Sequence, residues 1–258
     1  MNPFRVFWRS ARDTFDELLL LALLGIVWLV AVVPLPALAA GFALGGALGG
    51  AIALLLLTAL PLGAVSCGMT AVAQRIHEGR TVSWGDFVAG VRRYYRFGWL
   101  VYGAWLAGLV VIIVNIGFYA QMQAPAGGYL VILFVYLMVA WVGLLIYLGP
   151  LAILQQRPGV RLVFRNALVL SFGRPFFTIM TQVLMSVIVM LSLWPPLLLL
   201  LLITPPLLAV WGFRATVTLI AEAEARREAA AAEERAAATP ANPTATEKGR
   251  GGQIRPRE

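Results

Sequence analysis

The chain is poor in charge: 12% of its 258 residues are Asp, Glu, Lys or Arg, against about 25% in ordinary soluble domains. With 60% of its residues hydrophobic, a water-soluble fold of this size could not cover its apolar surface. Hydrocarbon as the solvent removes that difficulty. Cysteine is almost missing, and Cys67 alone can close no disulfide within the chain. One Cys and one His (His77) are too few for a Cys/His metal site, and no carboxylate cluster supplies the remaining ligands. There is no Gly-rich phosphate loop, Ser/His/Asp arrangement or HExxH motif, so nothing points to an enzyme or to a cofactor. Lysine is reduced to Lys248, which leaves the formal net charge of +8 to arginine. In a soluble protein such a balance would suggest nucleic acid. Here the bias of basic residues toward the cytoplasmic side of a membrane accounts for it, and no nucleic-acid partner is expected.

The uncharged stretches count the helices. Glu17 and Arg75 bracket 57 residues without a charge, Arg96 and Arg157 bracket 60, and Arg174 and Arg214 bracket 39, or 47 up to Glu222 if Arg214 is tolerated inside. A spanning helix needs roughly 20 apolar residues, so each block fits two spans and a turn. The fold class expected is therefore all-α: a polytopic transmembrane bundle of six spans in three hairpins. The spans are placed near 18–35, 47–73, 98–119, 129–153, 176–196 and 202–221, within a membrane domain covering 1–222. Proline and glycine supply the turns. They are Pro34, Pro36 and the run Gly41, Gly45, Gly46, Gly49 and Gly50; then Gln121, Gln123, Pro125, Gly127 and Gly128; then Pro195–Pro196 or Pro205–Pro206.

Three hairpins return the chain to its starting side, which gathers Arg5, Arg9, Arg12, Arg75, Arg80, Arg92, Arg93, Arg96, Arg157, Arg161, Arg165, Arg174, Arg226 and Arg227 together. Positive charge then places both termini in the cytoplasm. Ala37-Leu38-Ala39 has the look of a signal-peptide cleavage site. The charged segment before it argues against that reading, and cleavage would leave five spans.

Three segments on the charged side have amphipathic patterns. Residues 4–16 interleave Phe4, Phe7, Trp8 and Phe15 with Arg5, Arg9 and Arg12, as an interfacial helix or an extension of the first span. Ser83 and Asp86 form a capping box for a helix carrying Trp84, Phe87, Val88, Val91, Tyr94 and Tyr95 beside Arg92, Arg93 and Arg96. Its residues Trp84, Phe87, Arg92, Arg93 and Arg96 are expected to face lipid headgroups or a membrane-protein partner. Val160 to Phe172 sets Arg161 and Arg165 against Leu162, Val163, Ala167 and Leu168. Beyond Glu222 an Ala-, Glu- and Arg-rich stretch extends the last helix over 223–238, and 239–258 has the composition of a disordered tail.

Ionisable groups inside the membrane would mark a site, and Arg214 is the one candidate. Its depth depends on the last turn, placed near Ile203–Thr204 with Arg214 snorkelling. Asn115, Gln182, Thr58, Ser66, Thr70, Thr178, Thr181 and Ser186 read as hydrogen-bonding glue between helices. The alternative is a small-solute transporter or channel whose polar cavity involves Asn115, Gln182 and Arg214. Gly41/Gly45/Gly49 and Gly46/Gly50 have small-xxx-small spacing, which suits either close packing or an external turn. Pro61 and Gly63 predict a kink in the second span.

Ala59-Leu60-Pro61-Leu62-Gly63 through Met69-Thr70-Ala71-Val72-Ala73, then Trp84-Gly85-Asp86-Phe87 and Arg92 to Phe97, resemble the YesL-like family of bacterial membrane proteins, a domain of unknown function. Asn166-Ala167-Leu168 with Arg174-Pro175 resembles that family's entry into its next-to-last span. The likeness covers roughly residues 15–225. It implies a non-enzymatic role as an accessory or regulatory component of a carbohydrate or other solute uptake system, and it brings no catalytic residues.

Overall fold

A computed structural model describes residues 5–8, 17–123, 125–155, 159–194 and 200–238. Among them there is no strand. The helices are α1 (Leu18–Val32), α2 (Pro34–Leu44), α3 (Leu48–Leu57), α4 (Ala59–His77), α5 (Trp84–Ala120), α6 (Pro125–Gly143), α7 (Leu145–Leu154), α8 (Val160–Gly173), α9 (Pro175–Ser192) and α10 (Leu200–Ala238). Six stretches are long and apolar enough to cross a bilayer: Leu18–Leu44, Leu48–His77, Trp84–Ala120, Ala126–Leu154, Pro175–Ser192 and Leu200–Arg235. Lipid offers the backbone no hydrogen bonds, so continuous helix is the form such segments must take. The chain is a multi-pass α-helical membrane protein. It divides into two compact units, one through Leu219 and one from Ile220 onward.

Two turns differ from the sequence expectation. The first span does not stop at Pro34 and Pro36. The backbone bends at Val33, the residue whose α conformation a following proline disfavours, and Pro34 then opens α2 at a position where no N–H is required. The hairpin closes instead at Gly45, Gly46 and Ala47, with Gly46 at φ +78. At the last hairpin, Ile203–Thr204 is not a turn, because α10 is already helical from Leu200 and runs through Pro205 and Pro206. Thr204 closes onto the end of α9, its hydroxyl sharing a hydrogen bond with that of Ser192. The two helices end and begin at Ser192 and Leu200, and Pro195–Pro196, the other turn expected from the sequence, lie outside the described residues. The helical run is interrupted at Thr58, three residues before Pro61, and the Thr58 hydroxyl donates to the Leu54 carbonyl at 3.0 Å.

Between helices in lipid there is no hydrophobic driving force, and close packing must hold the bundle. The most extensive seam joins α4 to α5. A Cβ on Gly63 would stand 2.5 Å from the carbonyl carbon of Gly98, and one on Gly98 2.6 Å from the Gly63 oxygen. Nearer the charged loop, Gly90 meets Ala71 and Gly68 meets Val91 and Phe87. These are the close-packing glycines. Gly41, Gly46 and Gly49 have nothing within 4 Å, whereas Gly50 lies against the Phe42 ring of α2.

Proline and glycine also act in pairs across helices. Pro206 lacks an N–H, which leaves the Leu202 carbonyl without its helical donor, and Gly25 of α1 lies against that oxygen. Pro150 likewise frees the Ile146 carbonyl, and Gly212 of α10 lies against it. A buried core of Leu21, Leu24, Val65, Met69, Val72, Ile76, Phe87, Val210 and Phe213 then ties α1, α4, α5 and α10 together toward the charged end.

In the second unit α10 continues to Ala238 with exposed Glu and Arg side chains, Glu222 and Arg226 pairing one turn apart at 3.9 Å. The stretch 223–238 is helical, and the tail from 239 lies outside the described residues.

Gly98→Ala is expected to lower stability in detergent by about 1–3 kcal/mol, since the added carbon meets backbone that cannot yield. Gly49→Ala should be neutral or slightly stabilising, as it meets nothing and favours helix. Unfolding of the purified variants in mixed micelles reads both, and equal destabilisation would deny the α4–α5 seam its role.

Candidate functional site at the charged end

The loop from α4 to α5 is held by a small polar lock. Gly79, at φ +70, turns the chain after α4. Asp86, in the first turn of α5, accepts from the Ser83 backbone N–H at 2.9 Å, as a capping box requires, and also from the Ser83 hydroxyl at 3.0 Å. Its other oxygen meets Arg75 of α4 at 2.8 Å. α5 has 37 residues, about 55 Å at 1.5 Å per residue, which exceeds the roughly 30 Å of hydrocarbon. Its first turns therefore stand outside the apolar layer. Burial by itself raises the Asp86 carboxyl, but the Ser83 hydrogen bonds and the nearby Arg75 and Arg80 outweigh it and hold the group below the ordinary carboxylate range.

Along the next turns α5 sorts its residues by face. Gly90 and Gly98 turn inward, with Phe87 buried at 4% exposure against Gly68. Phe87 is therefore a packing residue rather than part of a lipid- or partner-facing surface. The aromatic was read by type; the space left by Gly68 on the facing helix draws it inside. Trp84, Arg92, Arg93, Tyr95, Arg96 and Trp99 are exposed. Arg96 Nε donates to the Tyr95 hydroxyl at 2.7 Å, and the Arg93 guanidinium lies 5.3 Å from the Tyr94 ring centre. In α8, Val163 and Ala167 are buried and Phe164 stacks on Trp141 at 5.7 Å, while Arg161, Arg165, Leu162 and Leu168 are exposed.

Asn115, Gln182 and Arg214 occupy different levels of the bundle. Asn115 donates to Val111 of its own helix at 2.7 Å, close to the far end of α5. Gln182 donates across to Val139 of α6 at 2.9 Å, its side chain filling the space over Gly143. Arg214 follows Phe213, whose ring meets His77 at the charged end of α4 at 5.6 Å. The 29 positions from Asp86 to Asn115 are about 44 Å of helix, so Asn115 and Arg214 lie toward opposite ends. Arg214 stands 14 positions into α10, with Trp211 fully buried before it and Phe7 of the N-terminal segment 5.0 Å from the Trp211 ring.

The interior polar groups that the sequence reading missed join helices. Trp105 and Trp141 each donate an indole N–H to the other's backbone carbonyl, at 3.0 and 2.9 Å, with Gly108 leaving room for the Trp141 ring. Tyr147 shares a 2.7 Å hydrogen bond with Thr178, one of the residues read as glue. Trp28 reaches Ser66 at 3.5 Å. Thr70 donates instead to Ser66 of its own helix. The available signal was glycine opposite tryptophan, which a single sequence does not pair. Among the described residues, no group of three or more His, Cys, Asp or Glu stands together to hold a metal ion.

No known protein family, curated protein or solved structure matches the chain.

Two outcomes follow. A carboxyl that titrates lower in the folded than in the unfolded chain stabilises the fold above the ordinary carboxylate range, about pH 4, and loses that effect as pH falls further. Asp86→Asn is therefore expected to cost about 1 kcal/mol near neutral pH and to flatten the fall in thermal midpoint expected of the parent toward about pH 3. An unchanged acid limb would show that the lock is not formed. Gln182→Leu should cost about 0.6–1.7 kcal/mol by removing an interhelical bond, while Asn115→Leu, which breaks no such bond, should leave stability near that of the parent. Chemical denaturation in micelles distinguishes them.

Proposed function

We propose that this chain is a non-catalytic protein of a bacterial inner membrane, with both termini in the cytoplasm, acting as an accessory or regulatory component of a solute uptake system. The observation that carries this reading is the division of polar groups between interior and surface. Gln182, Tyr147, Thr178, Trp105 and Trp141 are engaged in bonds between helices, as structural glue would be, whereas the arginines of α5 and α8 stand outward at one end. The resemblance to YesL-like proteins in the α4–α5 segment supports the same role. The surface offered to a protein partner is the outermost rim of the charged end: exposed Trp84 at the start of α5, and Arg161 and Arg165 on α8. Tryptophan and arginine are the side chains most often found at the energetic centres of interfaces.

Photo-crosslinking from positions 84 and 161 in native membranes is expected to capture a transport-system subunit, and reporter fusions are expected to place Gln121 outside and the C-terminus in the cytoplasm. Crosslinks confined to lipid at both positions, or a cytoplasmic reporter at Gln121, would remove this reading.

A further inference from the structure

One level deeper than that rim, α5 carries three arginines that no acid among the described residues neutralises. Arg92, Arg96 and Arg93 fall within about 100° of the helix circumference, and Trp99 continues the same stripe one turn further in. Among the described residues none of the three is ion-paired, and Asp86, the acid on this part of α5, is committed to Arg75 and Ser83. Arg96 is also pre-oriented. Its Nε donates to the Tyr95 hydroxyl, its guanidinium lies 5.5 Å from the Tyr95 ring centre, and its two terminal amino groups remain to bind a ligand.

The depth of the stripe selects the ligand. Trp99 and Leu100 are 47% and 54% exposed and begin the apolar girdle of α5, so Arg96 sits about one turn outside the hydrocarbon and Arg92 one turn beyond. That is the layer of lipid phosphates. A planar guanidinium matches a phosphate in bidentate fashion, and an aromatic pair at headgroup level seats the glycerol region.

We propose that Arg92, Arg93, Arg96, Tyr95 and Trp99 form a binding site for the headgroup of an anionic phospholipid. The site stands independently of the role in solute uptake. Native mass spectrometry of the full chain with phosphatidylglycerol and phosphatidylcholine tests it. The parent is expected to retain phosphatidylglycerol preferentially. The triple variant Arg92→Gln, Arg93→Gln, Arg96→Gln should lose that preference by about tenfold or more, whereas Arg161→Gln with Arg165→Gln should keep it. Retention by the triple variant, or an equal loss in the α8 control, overturns the proposal. A photo-crosslinker at position 95 of the otherwise unaltered chain gives a second reading in mixed bilayers. Capture of phosphatidylglycerol over phosphatidylcholine supports the site, and equal capture of the two overturns it.

Discussion

The approach of backbone to backbone at Gly63 and Gly98 is the constraint on which the rest of the bundle depends. Lipid tails are as apolar as leucine, so nothing is gained merely by exchanging a lipid contact for a leucine contact. What distinguishes one helix pairing from another is how many atoms can meet, and a pair of glycines allows whole backbones to meet. Once α4 and α5 cross there, Gly68 and Gly90 admit Phe87 and Ala71 along the same seam, and the Arg75–Asp86 pair closes its charged end. Everything that packs on the hairpin afterwards inherits its geometry, including the core that α1 and α10 complete.

Proline takes a second, less familiar part. A proline within a helix leaves a carbonyl four residues back without a donor, and in hydrocarbon such a group needs protein around it. Pro206 and Pro150 each create one, and in each case a glycine of a neighbouring helix lies against the oxygen. The glycine Cα–H can offer the weak contact that remains. The defect in one helix thereby becomes a recognition feature for another, and α1, α7 and α10 are joined through it.

How much was legible follows from the same physics. Charge is so costly in hydrocarbon that counting uncharged stretches located six spans and three hairpins, and the Ser83–Asp86 cap was visible because it is local. Proline and glycine were ambiguous because each has two uses. Pro34 and Pro205–Pro206 read as turns but lie within helical segments, and Gly41/Gly45/Gly49 suited either packing or a turn, while the close-packing glycines sit at 63, 68, 90 and 98. Only the facing helix decides between these uses. The Trp105–Trp141 exchange is invisible for the same reason, since 36 residues separate its halves. Phe87 was assigned outward by residue type and turned inward by the gap opposite it.

The unbroken length of α5 has a mechanical consequence. It contains no interior proline, so it behaves as a stiff rod, and the Gly98 crossing acts as its fulcrum. Fourteen residues, about 21 Å, lie on the Trp84 side and 22 residues, about 33 Å, on the Ala120 side. A rigid tilt of this rod, together with the α4 it is locked to, about the level of Gly98 would displace the far end in the opposite sense and by about half as much again as the near end.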